Sequence, residues 1–321
     1  MEDQLRLRHP FLIVGIGSVG SKLARDAGAA LECACVQLSS DKKDFDALGD
    51  SIKIDTAGHV VPTIQILRST AQASRTAIKA RIESHKTVIV VSNLAGTNGP
   101  AIAPMVCELA KEAGATVVSI AIMPFGFEKE RIFASGVALK RLRDKSDSTI
   151  IADNDSFLEN NPELSVPECF AILNKSIMHV LNSIKSRALN KDISLLCAGG
   201  HSEQESSLEG CVSMLYRNFD APSAIKRAVI YVENPELSVG SIAKLSSFAE
   251  GVFAEVGHPQ VELARTVSGV GSQVHMLASG FQKTRFDCYD PLSEIIPPQN
   301  VIDWEEPDCV VDAQLSLFSA E

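Results

Sequence analysis

The sequence predicts an α/β protein with a parallel sheet. Short apolar runs alternate with amphipathic stretches, two glycine-rich segments directly follow apolar runs, and the pattern changes order once, near residue 190. Phe11 to Ile16, Cys33 to Leu38, Thr87 to Ser92 and Ala115 to Ile122 read as strands. Between them Ser18 to Ala30, Ile64 to Ser84 and Ala101 to Ala113 read as helices. In a sheet of this kind the ligand-binding loops lie at the C-terminal edge of the strands.

Glu128 to Lys145 predicts a basic amphipathic helix, Ser148 to Ala152 a short strand, and Pro167 to Leu189 a long, mostly apolar helix suited to a place between domains. Beyond it, Ile193 to Ala198, Lys226 to Val232, Gln260 to Ser268 and Gln273 to Ser279 read as strands, with helices near Ser206 to Asn218 and Gly240 to Val256. The expected division is residues 1–189, including the central helix, then a smaller α/β domain at 190–290. Residues 291–321, acidic and carrying Pro297, Pro298 and Pro307, read as a loosely held tail.

Composition narrows the function. A chain of 321 residues suits two domains. With 45% hydrophobic and 22% charged residues, disorder and fibrous architectures are disfavoured. A formal net charge of -10 argues against nucleic acid as a partner, since that affinity depends on a basic surface. Apolar runs end well short of the roughly 20 residues needed to cross a bilayer. Met1 to Pro10 lacks a cleavage-site pattern, so no membrane insertion and a cytoplasmic location are expected. The eight cysteines are scattered without zinc-site spacing, which favours reduced thiols and no protein-bound structural metal.

The first glycine segment, G-I-G-S-V-G at Gly15 to Gly20 with Gly15, Gly17, Ser18, Val19 and Gly20, runs from a strand into a helix. Glycine lets the backbone approach a phosphate, and a helix start offers unpaired N–H groups and a positive dipole. NAD or FAD fits this loop too, with Asp41 as the ribose acid. A Walker loop fits badly, because Ser21 rather than lysine follows Gly20. A second segment, Asn93 to Val106, again places small residues before a helix, and Ala95, Gly96, Thr97, Asn98 and Gly99 could hold a terminal phosphate. Two such loops at one sheet edge suit a triphosphate.

Several motifs, in order, resemble the FtsZ branch of the tubulin superfamily over about the first 290 residues. Gly15 to Gly20 is similar to its first glycine loop. Ser39, Ser40 and Asp41 stand where that family has Asn-Thr-Asp, and Ala57-Gly58 fall near its γ-phosphate loop. Ala95 to Ala101 is a degraded G-G-G-T-G-T-G. Met123 to Arg131 resembles P-F-x-x-E-G-x-x-R with one glycine missing, which implies that Glu128 and Arg131 hold the ribose. Asn154, and Phe170 with Asn174 at the start of the central helix, correspond to the family's base-binding positions. An asparagine there can meet the N1 and exocyclic amine edge of guanine, where adenine presents the wrong donors and acceptors.

The resemblance implies a divergent FtsZ-like protein of archaeal type that binds GTP or GDP, with Mg2+ as an accompanying ion. It implies head-to-tail association with itself into cytoskeletal filaments, and other FtsZ-like or division proteins as further partners. Leu189 to Ile193 resembles the start of the family's catalytic loop N-x-D-F-x-x-D, yet Ser194 to Ala198 already reads as a strand. Asp192 is the acid retained; loss of the distal one implies weak or lost hydrolysis. Asp312 to Glu321 does not match the family's tail peptide. A Rossmann-type dinucleotide enzyme and a non-polymerising FtsZ-like binding protein remain the alternatives.

Overall fold

The computed structural model describes residues 4–45, 49–184, 188–199, 204–218, 225–233, 238–253, 259–266 and 274–291. Residues 292–321 of the expected tail lie outside the described residues, and the elements below belong to one unit that ends at Asp290. In chain order they are β1 (Gln4–Leu5), β2 (Phe11–Ile16), α1 (Gly17–Leu31), β3 (Ala34–Ser39), β4 (Asp50–Lys53), α2 (Ile64–Ala73), α3 (Arg75–Ile82), β5 (Thr87–Asn93), α4 (Asn98–Glu112) and β6 (Thr116–Met123). There follow α5 (Lys129–Lys145), β7 (Ser148–Asp153), α6 (Asn154–Asn160), α7 (Val166–Ser183), β8 (Leu189–Asn190), β9 (Ile193–Ala198), α8 (Gln204–Arg217), β10 (Arg227–Glu233), α9 (Val239–Phe253), β11 (Gln260–Thr266) and β12 (Val274–Phe281).

The sequence places most of these within a few residues. The helix expected over Ile64 to Ser84 is two, because the chain turns at Ser74 (φ -89, ψ -1) before α3 begins. The long helix runs Val166–Ser183, started by a capping box in which Ser165 and Glu168 satisfy each other's backbone N–H. Strand β4 has an exposed, polar pattern that gives no apolar run to read.

Ten strands form one sheet in the order β11-β10-β12-β9-β7-β6-β5-β2-β3-β4. Every adjacent pair is parallel except those that involve β12, which runs antiparallel to both β10 and β9. The inner strands are buried on both faces, as Phe11–Ile16 shows throughout, so they read as continuous apolar runs rather than alternating ones. The two halves of the chain meet where Thr149 to Ala152 of β7 pair with Ile193 to Leu196 of β9.

One face carries a core built around α4, α5 and α8, with Ile102, Val106, Leu139 and Leu215 buried in it. The other face packs Leu23, Ala24 and Leu31 of α1 with Ile177, Val180 and Leu181 of α7. Helix α7 contributes to both cores, since Cys169 and Leu173 in its first half belong to the first. Near its start, Phe170 lies against Phe125, which follows the C-terminal end of β6. Among the described residues no helix is long and apolar enough to cross a membrane.

Candidate functional site

The C-terminal ends of β2, β3, β5, β6 and β7 open into successive loops along one edge. From β2 the chain enters α1 through Gly17, whose φ of +71° few L side chains adopt. A Cβ at Gly20 would lie 2.4 Å from the Val91 carbonyl oxygen, so a glycine is needed for α1 to sit this close to β5. Neither α1 nor α4 is capped by a side chain, which leaves first-turn N–H groups at both helix starts free to meet an anion.

Asn98 joins these loops. A Cβ on Gly17 would lie 3.4 Å from its Cβ, and its Oδ1 accepts a hydrogen bond from the Ser40 N–H at 3.0 Å. Ser18, Gly96 and Thr97 are exposed beside it, Val19 is half-buried, and Gly99 is packed against the Asn93 carbonyl. The Asn93 side chain shapes the second loop by accepting from the Ala95 N–H at 2.9 Å. Sequence reasoning missed Asn93; an asparagine two residues before a loop N–H is the turn signal that could have found it.

Asp41 is spent locally: its carboxylate accepts the Lys43 N–H at 2.9 Å and caps a 3-10 turn at Lys42–Asp44. Gly58 sits at φ +77° in an exposed turn after β4, where a side chain would meet nothing within 4 Å.

The opposite wall is formed after β6 and β7. Glu128 precedes α5, accepts the Phe125 N–H at 3.1 Å and pairs with Arg131 at 3.1 Å. Arg131 also donates to the Ala95 carbonyl at 2.9 Å, which ties the acid and arginine to the second glycine loop. Ser135 adds a bond to the Leu94 carbonyl at 2.8 Å. Phe170 is half-exposed and its ring centroid lies 5.4 Å from that of Phe125, which stacks on exposed Phe127 at 5.0 Å. Asn174 is half-buried one turn further along α7.

Asn154 lies under this surface rather than on it. It is 2% exposed, its amide donates to the Met123 carbonyl at 2.8 Å, and its Oδ1 has no hydrogen-bond partner.

Asp192 is at the other edge. It precedes β9, whose first residue pairs with Thr149 near the start of β7. The six residues of β9 span about 20 Å, so Asp192 is roughly that far from the edge bearing the glycine loops. Its carboxylate pairs with Lys226 at 2.9 Å, and β9 begins at the next residue.

Part of this edge, from the turn after β4 to α6, resembles known proteins. The family profile "Tubulin/FtsZ family, GTPase domain" matches residues 56–162. Cell division protein FtsZ 2 of Halobacterium salinarum is 33% identical over 117 residues, 36% of this chain and 30% of that protein. The matched segment thus spans under a third of the relative's length.

Over residues 56–162 the chain is similar to the GTPase domain of the tubulin/FtsZ family.

The fold agrees over a longer stretch. An FtsZ dimer from M. jannaschii superposes with a TM-score of 0.67 at 18% identity, over 86% of this chain and 89% of that one. CetZ2 from Haloferax volcanii, a GTPγS-bound protofilament, gives 0.63 at 17% identity, over 89% of this chain and 98% of that one. The matched profile covers β5, α4, β6, α5 and β7, the elements that carry the second glycine loop and the Glu128–Arg131 pair.

The thiols fit a structural role. Cys107, Cys197 and Cys211 are buried, and burial raises the thiol of Cys107 to about 12, so it stays protonated at neutral pH. Among the described residues no group of three or more His, Cys, Asp or Glu is placed to hold a metal ion.

Proposed function

We propose that this FtsZ-like chain binds GTP or GDP at the C-terminal edge of its sheet and associates with itself head to tail, with weak or lost hydrolysis. The observation that carries the reading is the linked set of loops. The Ser40 to Asn98 and Arg131 to Ala95 bonds join three strand ends, those of β3, β5 and β6, beside two uncapped helix starts. Phosphates fit there because the first-turn N–H groups of α1 and α4 supply donors and positive dipole without a lysine.

Gly15 to Gly20 and Ala95 to Gly99 take the phosphates, Glu128 and Arg131 the ribose, and Phe170 with Asn174 the base. Asn154 lends its unpartnered carbonyl oxygen, an acceptor suited to the N1–H or amine of guanine, once the overlying loop shifts. Ser40 and Asp41 border the first loop, and Gly58 lies in the turn after β4 that would approach a terminal phosphate. Mg2+ would arrive with the phosphates. The engaged carboxylate of Asp41 weighs against the dinucleotide reading.

Self-association draws on the protofilament form of the CetZ2 neighbour and on the position of Asp192. An acid about 20 Å from the loops of its own chain can act only on the site of another copy, which is the heterologous geometry that yields open filaments. Its pairing with Lys226, and the immediate start of β9, leave little to polarise a water. A non-polymerising binding protein is the second reading, favoured by that same ion pair.

Calorimetric titration tests the binding. GTP or GDP should bind better than ATP and NAD, and Asn174→Ala should erode the preference. Equal or absent binding of all four defeats the proposal. Light scattering and pelleting with and without GTP separate the filament from the monomeric reading.

A further inference from the structure

The short segment after β12 returns to the wall of the site that holds ribose and base. Arg285 opens a 3-10 turn at Arg285–Tyr289, and its Nη2 lies 2.7 Å from Asp153 Oδ2 and 3.4 Å from Asp155 Oδ2. Both carboxylates already shape the corner. Asp153, 2% exposed, caps α6 by accepting from the N–H groups of Asp155 and Ser156, with Asn154 between them. Asp155 Oδ1 accepts from the Gly126 N–H at 2.7 Å, in the loop that leads to Glu128.

The same turn is fastened elsewhere. Asp287 pairs with Arg143 of α5, Phe286 is buried, and Tyr289 packs where a Cβ on Gly136 of α5 would come within 2.6 Å of its own. The Arg285 N–H donates to the Asn218 carbonyl at 2.9 Å, while Asn218 Nδ2 donates to Ser156 Oγ at 3.2 Å. One turn of chain thus fixes α5, which carries Arg131, and α6, which begins with Asn154. Two acids this close, one of them almost fully buried, would repel each other and lose the loop geometry without a cation between them.

We propose that Arg285 is a positioning residue for nucleotide selectivity: by bridging Asp153 and Asp155 it sets the Phe125–Glu128 loop and the start of α6 against the base. This rests on the nucleotide reading above. It adds that the segment after the last strand of the second half governs the base corner, while the glycine loop at Gly15 to Gly20 follows β2, three strands along the sheet from β7.

The test compares wild type with Arg285→Gln, Arg285→Lys and the double variant Arg285→Gln, Asp153→Asn. The double variant keeps the α6 cap while removing the unpaired carboxylate, and stands in if the single one does not fold. Hydrogen exchange should accelerate about tenfold in residues 124–128 and 153–158 of Arg285→Gln, with residues 15–21 unchanged. Titration should show the GDP over ADP preference falling about tenfold while affinity for pyrophosphate holds, and Arg285→Lys should restore part of it. Unchanged exchange in both segments, or equal weakening of GDP and pyrophosphate, overturns the inference. Wild type that binds no guanine nucleotide overturns the nucleotide reading and with it the selectivity role, and the exchange data then report separately whether Arg285 holds the corner.

Discussion

At the C-terminal edge of the sheet the first N–H groups of α1 and α4 meet no side-chain cap, whereas at the opposite edge the Asp192 carboxylate is held by Lys226 at 2.9 Å. The first edge is built from glycine and small residues packed so tightly that a Cβ at Gly20 would strike the backbone of β5. The second is an exposed ion pair that side-chain motion and water can remake. On the proposed reading, the difference separates two functions that a nucleotide switch normally joins: binding would depend on backbone geometry fixed by packing, and turnover on one mobile acid.

The sharpest way to break that comparison is to perturb the packing of each edge in turn. Gly20→Ala should cost about 3 kcal/mol of stability in urea unfolding, because the methyl has only backbone to displace. Asp192→Ala should stay within about 0.5 kcal/mol, as exposed ion pairs do. Equal losses would mean that the second edge is as tightly specified as the first.

Acid should expose a further part of the C-terminal edge, away from the loops. His275 at the start of β12 is fully buried, and burial, with His179 and Lys175 nearby, lowers its pKa from 6.5 to about 3. The folded form therefore binds its proton less readily than the unfolded one. The stability this contributes is complete above pH 6.5 and drains as pH falls toward 3, at up to about 1.4 kcal/mol per pH unit. Urea midpoints between pH 7 and pH 4 should fall accordingly, and His275→Phe should flatten the slope. A slope unaltered in that variant would assign acid sensitivity to other groups.

Loss of the Asn98 side chain should weaken GDP binding by about tenfold, through the freed Ser40 N–H and the loosened loop, with little change in unfolding. Calorimetry on Asn98→Ala reads this directly; undiminished affinity would detach the two loops from the ligand.

The smallest effect is expected for Asp192→Ala on GTP turnover. Losing a working acid or base commonly removes about 10² to 10⁴ in rate, whereas a chain already slow should lose nothing measurable in a phosphate-release assay. Robust turnover abolished by this change would make Asp192 catalytic and join the two edges after all.

The local pattern of the chain was enough to indicate the parallel sheet, most of its strands and the glycine segments after β2 and β5, though not β4, whose residues are polar and largely exposed. Strand period, helix spacing and glycine before a helix start act over a few residues. What joined the halves was not local: Thr149 pairs with Ile193 only because β12 and β9 complete a sheet, and no run of sequence specifies which strand becomes whose neighbour. The burial of Asn154 came likewise from what lies above it, since an asparagine that follows a strand looks the same in sequence whether it faces solvent or the Met123 carbonyl. Arg285 carried no signal at all. Its partners Asp153 and Asp155 lie more than a hundred residues away, and an ion pair of that separation exists only once folding has brought its ends together.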